Sequence, residues 1–513
     1  MKAFAACLML ALLFPATHEA YAVTRYVDLN SPSPAPPYTS WATAATNIQD
    51  AIDAAASGDL VLVTNGIYQT GGTTVGTSLL TNRVAITKPM IVQSVNGPQQ
   101  TIIKGYQMPS TTNGNGAIRC AYLTNGSSLI GFTLTEGATR LGGNLDAEAS
   151  GGGLWCVSTN AYASNCVITV NAAGYGCGGA FSGTLTDCVI STNFALVGRG
   201  WGGGAQNSVL NTCIIIGNVA SSGGGAYQCS LNRCQVLYNR ASIGGGAEDG
   251  DANNSLIVGN FASQQGGGVL ETLLSSCTVV SNISGTTGGG YYANFGAIRN
   301  CIVYYNSAPS NPNLSGKYSF CCTVPHNLND LTSFTNAPQF IDSANGDFRL
   351  QSNSPCINAG GNGYVIGNFD LDSNARIAGG TVDVGAYEFQ SPASQISYAW
   401  LQKHGFATDG SADSADPDGD GMGNWGEWRS DTIPTNALSA LRLVNATNSP
   451  TGAKVTWQSV NTRFYFLTRA IDLGLASPFQ TIATNIVGVT GTKTYTDTSA
   501  TNGGPYFYRV GVQ

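Results

Sequence analysis

One unit is written seven times between residues 151 and 306, and that repetition leaves few folds open. Its glycine blocks begin at Gly151, Cys177 (where the first glycine is replaced), Gly202, Gly223, Gly244, Gly266 and Gly288, so successive copies start 26, 25, 21, 21, 22 and 22 residues apart. A period of roughly 20–30 residues belongs to a solenoid, in which no copy buries a face alone and each stacks on its neighbours. Two columns set the register. Cys166, Cys188, Cys213, Cys234, Ser255, Cys277 and Cys301 form the first; Asn171, Asn193, Asn218, Asn239, Asn260, Asn282 and Asn306 follow five residues later. Between them stand Ile168, Ile190, Ile215, Val236, Ile257, Val279 and Val303, each two residues after the first column. Side chains alternate across a strand, so a β-branched residue two places from a small one puts both on the inward face. The coils are therefore expected to stack as parallel strands at about 4.8 Å per coil. The Asn column is expected to form a ladder of amides bonded from coil to coil at a turn, and the glycine block to allow a corner with positive φ.

Of the 513 residues, 66 are Gly and only 10% are charged, while the apolar content is ordinary, so the chain is glycine-rich yet able to fold. A net charge of −7 argues against a nucleic acid partner and against an anionic membrane surface. Lys2, the apolar run 3–14 and Ala20-Tyr21-Ala22 read as a signal peptide over residues 1–22, and no later run is long enough for a transmembrane helix. The mature chain is expected to be secreted or held at the outer cell surface. It keeps 13 of the 14 Cys, since Cys7 lies in the leader. The Cys column reads as small buried hydrophobes, and the vicinal Cys321 and Cys322, with Cys356, are the expected place for a disulfide.

Ahead of the repeats, Thr46-Asn47-Ile48-Gln49 supplies a capping box before Ile48, Ala51, Ile52 and Ala55 on one helical face, a cap for the open end of the solenoid. Short apolar runs at 60–63, 84–86, 90–92 and 101–103 predict less regular coils, and 340–341 with 348–350 predict a few more after the repeats. Over roughly residues 45–350 this pattern resembles the right-handed parallel β-helix proteins of the pectin-lyase-like superfamily. The resemblance implies an all-β fold; no lyase or polygalacturonase motif is matched, so no catalytic residue is carried over. Ser354-Pro355-Cys356-Ile357-Asn358-Ala359-Gly360 and Asp383-Val384-Gly385-Ala386-Tyr387-Glu388 resemble the closing module called choice-of-anchor Q, which accompanies exported bacterial β-helices. The expected organisation is a leader (1–22), a β-helix with its N-terminal cap (23–350), that closing module (351–390), a linker with a metal loop (391–440) and a small sandwich (441–513).

The linker carries Asp416-Pro417-Asp418-Gly419-Asp420-Gly421-Met422-Gly423-Asn424-Trp425-Gly426-Glu427. Oxygen ligands from Asp416, Asp418, Asp420, the Met422 carbonyl, Asn424 and Glu427, with Gly421 at the sharp turn, have the spacing a seven-coordinate calcium ion requires. The loop is similar to those of EF-hands, dockerins and thrombospondin type 3 repeats. Beyond it, apolar and polar residues alternate over 455–457, 464–467, 479–483, 493–496 and 506–512, which predicts a small antiparallel sandwich resembling fibronectin type III-like modules.

Candidate binding residues come from the second position after each block: Trp155, Phe181, Gln206, Tyr227, Glu248, Leu270 and Tyr292. This column points opposite to its small neighbours, hence outward. Trp155, Phe181, Tyr227 and Tyr292 could stack on sugar rings with Gln206 bonding hydroxyls, or the column could pack under a neighbouring loop carrying Arg199 and Trp201, or among itself. At the third position Asp249 and Glu271 fall on successive coils, about 5 Å apart if both lie on the strand, a retaining-glycosidase spacing. With Glu248, Asp251 and Arg240 they form the one dense ionisable group of the repeat; surface charges with Arg240 as counter-ion are the alternative. Three functions follow in order: an exported polysaccharide-binding β-helix, a polysaccharide lyase or glycoside hydrolase, and an adhesin-like spacer.

Overall fold

Most repeat coils run through three short strands and a two-residue fourth, and the strands of successive coils pair in parallel, in the register that the columns demand. The computed structural model describes residues 22–196, 198, 200–326, 330–501 and 504–513. The expected leader, except Ala22, and Arg199 lie outside the described residues. The chain is a right-handed parallel β-helix with small antiparallel sheets at its C-terminal end. One flank is a sheet of 11 strands among the described residues, from Gly66–Tyr68 to Cys322–Thr323. Along it Ile168, Ile190, Ile215, Val236, Ile257, Val279 and Val303 stand in register and are wholly buried. The other two strand columns send Ala163, Leu185, Leu210 and Leu231, and Leu154, Ala180, Ala205 and Ala226, into the same core.

Helix α1 (Ile48–Ala54) closes the N-terminal end, burying Ile48, Ala51 and Ile52. Asn47 caps it by accepting from the Asp50 N–H at 2.9 Å. Gln49 does not complete a capping box. Its side chain bonds both ways to Ala85, accepting from the N–H at 2.8 Å and donating to the carbonyl at 3.2 Å, and so occupies the sheet edge.

The Asn column is a continuous ladder. Asn239 Oδ1 accepts from the Asn218 N–H (2.9 Å) and from Asn218 Nδ2 (3.0 Å), and Asn239 donates in the same way to Asn260 Oδ1. Each Nδ2 also donates to a strand carbonyl one coil back, Ile215 in the case of Asn239. Asn313, which is off the sequence period, takes the place after Asn306. The glycine blocks serve this ladder in two ways. The first glycine has positive φ, for example 59° at Gly223. The next two need the missing Cβ instead, since a Cβ on Gly225 would lie 2.6 Å from the Gly246 carbonyl and 2.9 Å from Asn239 Nδ2.

All thirteen described cysteines are free and buried. The expected disulfide among Cys321, Cys322 and Cys356 is therefore corrected. Cys321 extends the inward thiol column, its Sγ donating to the Ile298 carbonyl, while Cys322 and Cys356 lie together in a second core. That core forms where the chain after the last coil folds back on the outside of the 11-stranded sheet, covering Leu256, Val258, Val280 and Ile302 with Phe340, Phe348, Ile357, Val384, Tyr387, Tyr398 and Leu401. The segment expected to add coils at 340–350 is instead an antiparallel hairpin, Phe340–Asp342 with Asp347–Leu350. Hydrogen bonds seat the 360–390 stretch on the flank: Ala386 N–H donates to Thr278 Oγ1 and Gly385 N–H to the Asn300 carbonyl.

Two short helices, α2 (Tyr398–Lys403) and α3 (Asn424–Ser430), lead to two three-stranded antiparallel sheets closed over Val455, Trp457, Tyr465, Leu467 and Ile486. No helix among the described residues is long and apolar enough to cross a membrane.

Asn239→Ala is expected to strand the two Asn218 donors, at about 1–3 kcal/mol for each buried group left unsatisfied. Gly225→Ala should destabilise comparably through the two close approaches. Gln235→Ala, on the outward face of the strand before Asn239, should cost less than either. Thermal melts of the three variants rank them; equal shifts would show that the ladder contributes nothing beyond an ordinary surface residue.

Candidate functional site

The outward column is in register from Tyr122 through Trp155, Phe181, Gln206, Tyr227, Glu248 and Leu270 to Tyr292. It is largely covered, with Trp155 half-buried. Trp155 lies between Tyr122, 5.1 Å away at 13°, and Phe181, 6.0 Å away at 6°, so both its faces are occupied. Its indole N–H donates to the Asp146 carbonyl at 2.8 Å. The covering loop, residues 140–149, is pinned by Arg119, which donates to the carbonyls of Ala147 (2.6 Å), Ser150 and Gly151 (both 2.8 Å) and sits over the Trp155 ring. Glu148 holds it further, paired with Arg140 at 2.6 Å and accepting from the Leu79 N–H at 2.7 Å. Phe181, Gln206, Glu248 and Leu270 are buried; Tyr227 and Tyr292 are half-buried.

An aromatic pair lies beside this column. Trp201 stacks on Tyr227 at 5.8 Å and meets Tyr175 edge-on at 5.0 Å. With Leu141, Leu145, Gly174, Gly198, Ser221 and Ser222 these two residues line an open depression of about 460 Å³. Trp201 precedes a glycine block and is in register with Ser222, which is in register with Ile243. The position before each block is thus a column too, and its single aromatic member was the signal that reading only the positions after the block passes over.

The ionisable group is not assembled into a pair. Asp249 and Glu271 stand at corners with φ of 55° and 47°, not on the strand. The Glu271 carboxylate accepts from the N–H groups of Asn294 (2.8 Å) and Phe295 (3.1 Å) and from Asn294 Nδ2 (2.9 Å), anchoring a bulge. Asp251 accepts from Ser230 and Asn253, and Arg240 lies over the Phe261 ring at 4.7 Å, in a different short strand, Arg240–Ala241. Glu248 differs. Burial, and after it the charge of Asp249, push its carboxyl up to about 7, against hydrogen bonds from Ser222 and the Gly223 N–H.

In the acidic loop 416–427 the carboxylates of Asp416, Asp418 and Asp420 gather with one oxygen each within 4.8 Å of the others. Asn424 and Glu427 are fully buried at the start of α3. Burial and the three aspartates push Glu427 up to about 7.

No family model matches the chain, and no curated protein does. Among solved structures it is similar to the pectate lyase Pel9A (15% identity, TM-score 0.46, covering 72% of this chain and 97% of that one). A rhamnogalacturonan lyase matches at 13% identity and TM-score 0.38, covering 62% and 91%, and the rice weevil pectin methyl esterase at 11% and 0.27, covering 53% and 87%.

A buried carboxyl whose folded pKa is raised stabilises below its unfolded value and loses that contribution as pH rises through the folded one. Wild type is therefore expected to lose stability between about pH 5 and pH 8, by about 1–3 kcal/mol, through Glu248. Glu248→Gln should flatten that part of the pH profile of Tm; an unchanged slope would show that Glu248 is not held neutral.

Proposed function

We propose that this protein is an exported β-helix that binds polysaccharide in the depression beside Tyr175 and Trp201, without cleaving it. One observation carries this reading: two aromatic side chains, held in place by their contacts with each other and with Tyr227, line an open surface together with apolar Leu141 and Leu145 and neutral Ser221 and Ser222. Aromatic faces take the apolar faces of sugars, and serine hydroxyls bond their hydroxyl groups. The carboxylates nearby do not favour the hydrolase reading, because Glu271 is engaged by a bulge and Glu248 is buried. The binding residues are then Tyr175 and Trp201, while Trp155 and Phe181 build the wall.

Affinity electrophoresis in gels cast with polygalacturonan, xylan, alginate or β-glucan tests this. Wild type is expected to be retarded by at least one of them, and Trp201→Ala and Tyr175→Ala each to weaken that retardation about threefold to tenfold. Trp155→Ala should lower Tm and leave the affinity of the folded fraction near wild type. Retardation unaffected by both cleft variants would overturn the proposal, and release of reducing or unsaturated ends by wild type would replace it with an enzyme.

A further inference from the structure

We propose that residues 416–427 bind one calcium ion and that the ion locks the joint between the flank of the β-helix and the C-terminal sandwich. The gathered aspartates alone would not support this. The independent observation is a set of five buried oxygens without a hydrogen-bond partner among the described residues: both carboxylate oxygens of Glu427, Asn424 Oδ1, Asp418 Oδ2 and Asp420 Oδ2. Glu427 and Asn424 are wholly buried, and Glu427 lies close enough for the charges of all three aspartates to reach it. A buried oxygen without a donor costs about 1–3 kcal/mol, and a carboxylate more, so a helix start that buries three of them is built for a cation. No Lys or Arg among the described residues forms an ion pair with these carboxylates. The donor set is all oxygen, with a glutamate able to bind through two atoms. That set favours calcium over zinc, which takes sulfur and nitrogen, and over magnesium, which keeps several waters.

The position of the loop gives the ion a consequence. On one side α2 inserts Tyr398 and Leu401 into the second core of the flank. On the other the sandwich grips the end of α3: Arg463 Nε donates to the Arg429 carbonyl at 3.0 Å, its Nη2 to the Trp428 carbonyl at 3.3 Å, and Thr462 Oγ1 to the Asp431 carboxylate. The ion would tie the aspartates of the loop to Glu427 on α3, and so tie α3, with the sandwich it carries, to the flank. Four carboxylates drawn together without a cation repel one another and would let α3 swing away.

The test is a calorimetric titration of the full mature chain, stripped with EDTA, with calcium chloride, alongside trypsin cleavage after Arg429 and Arg442. One site is expected, weakened about a hundredfold or more by Glu427→Gln and by Asp418→Asn, a substitution at a half-buried aspartate that leaves the wholly buried Asn424 and Glu427 intact. Calcium should slow both cleavages about tenfold in wild type. Arg463→Met should keep the binding heat and lose most of that protection. Absence of heat in wild type, or equal heats with magnesium chloride, would overturn the calcium site. Binding without protection, or protection that Arg463→Met leaves intact, would overturn the lock.

Discussion

Each ladder amide is held from both sides by its equivalents one coil away, so shifting any coil by one residue would strand a buried donor and acceptor there and at the next level. Hydrogen bonds of this kind contribute modestly when made and cost more when left unmade, which makes them a register device more than a source of stability. With register held, every side chain meets its counterpart in the next coil at strand spacing. Like therefore meets like inside, where aliphatic residues and thiols fill the core, and outside, where Tyr122, Trp155 and Phe181 stack on one another. The stacking that orders the aromatic column is also what removes its faces from a ligand.

Surface relief arises where the repetition breaks. The 140–149 loop leaves the wall of the helix and is tied back over it by Arg119 and Glu148. Trp201 interrupts a column that otherwise holds small or polar side chains and an isoleucine, and it lines the open depression beside that loop. The bulge at 294–296, anchored by Glu271, is a third departure. A periodic wall supplies rigidity, and the insertions upon it supply shape.

Two acidic motifs in the C-terminal third show how similar sequences reach different states. Asp383 accepts from the N–H groups of Asn358 (2.7 Å) and Phe389 (2.6 Å), and Glu388 from those of Ala378 (2.8 Å) and Asp383 (2.9 Å), with Arg376 3.5 Å away. Their oxygens are supplied with donors, and the module they brace is part of the flank. Glu427 and Asn424 are equally buried, yet their side-chain oxygens find no hydrogen-bond donor among the described residues. The composition of the two stretches does not separate these cases; the direction of the nearest backbone N–H groups does.

How much was legible follows the range of the forces involved. The period, the inward faces at Ile168 to Val303, the Asn ladder and the alternating strands of the sandwich follow from strand alternation and stacking, which act within one coil or between neighbouring coils. The EF-hand-like spacing at 416–427 is local for the same reason. What covers the outward column is not local. It depends on where the non-repeating 140–149 loop lands, just as the outside of the 11-stranded sheet is covered by a flank in which Ala386 bonds Thr278, 108 residues away in sequence. The free thiols at 321, 322 and 356, the hairpin in place of extra coils at 340–350 and the dispersal of Arg240, Asp249 and Glu271 were settled by that long-range packing. The sequence by itself determined the solenoid, because its rule repeats every coil; only the tertiary structure decided which outward residues stay exposed, because no repeat specifies what its neighbours will bury.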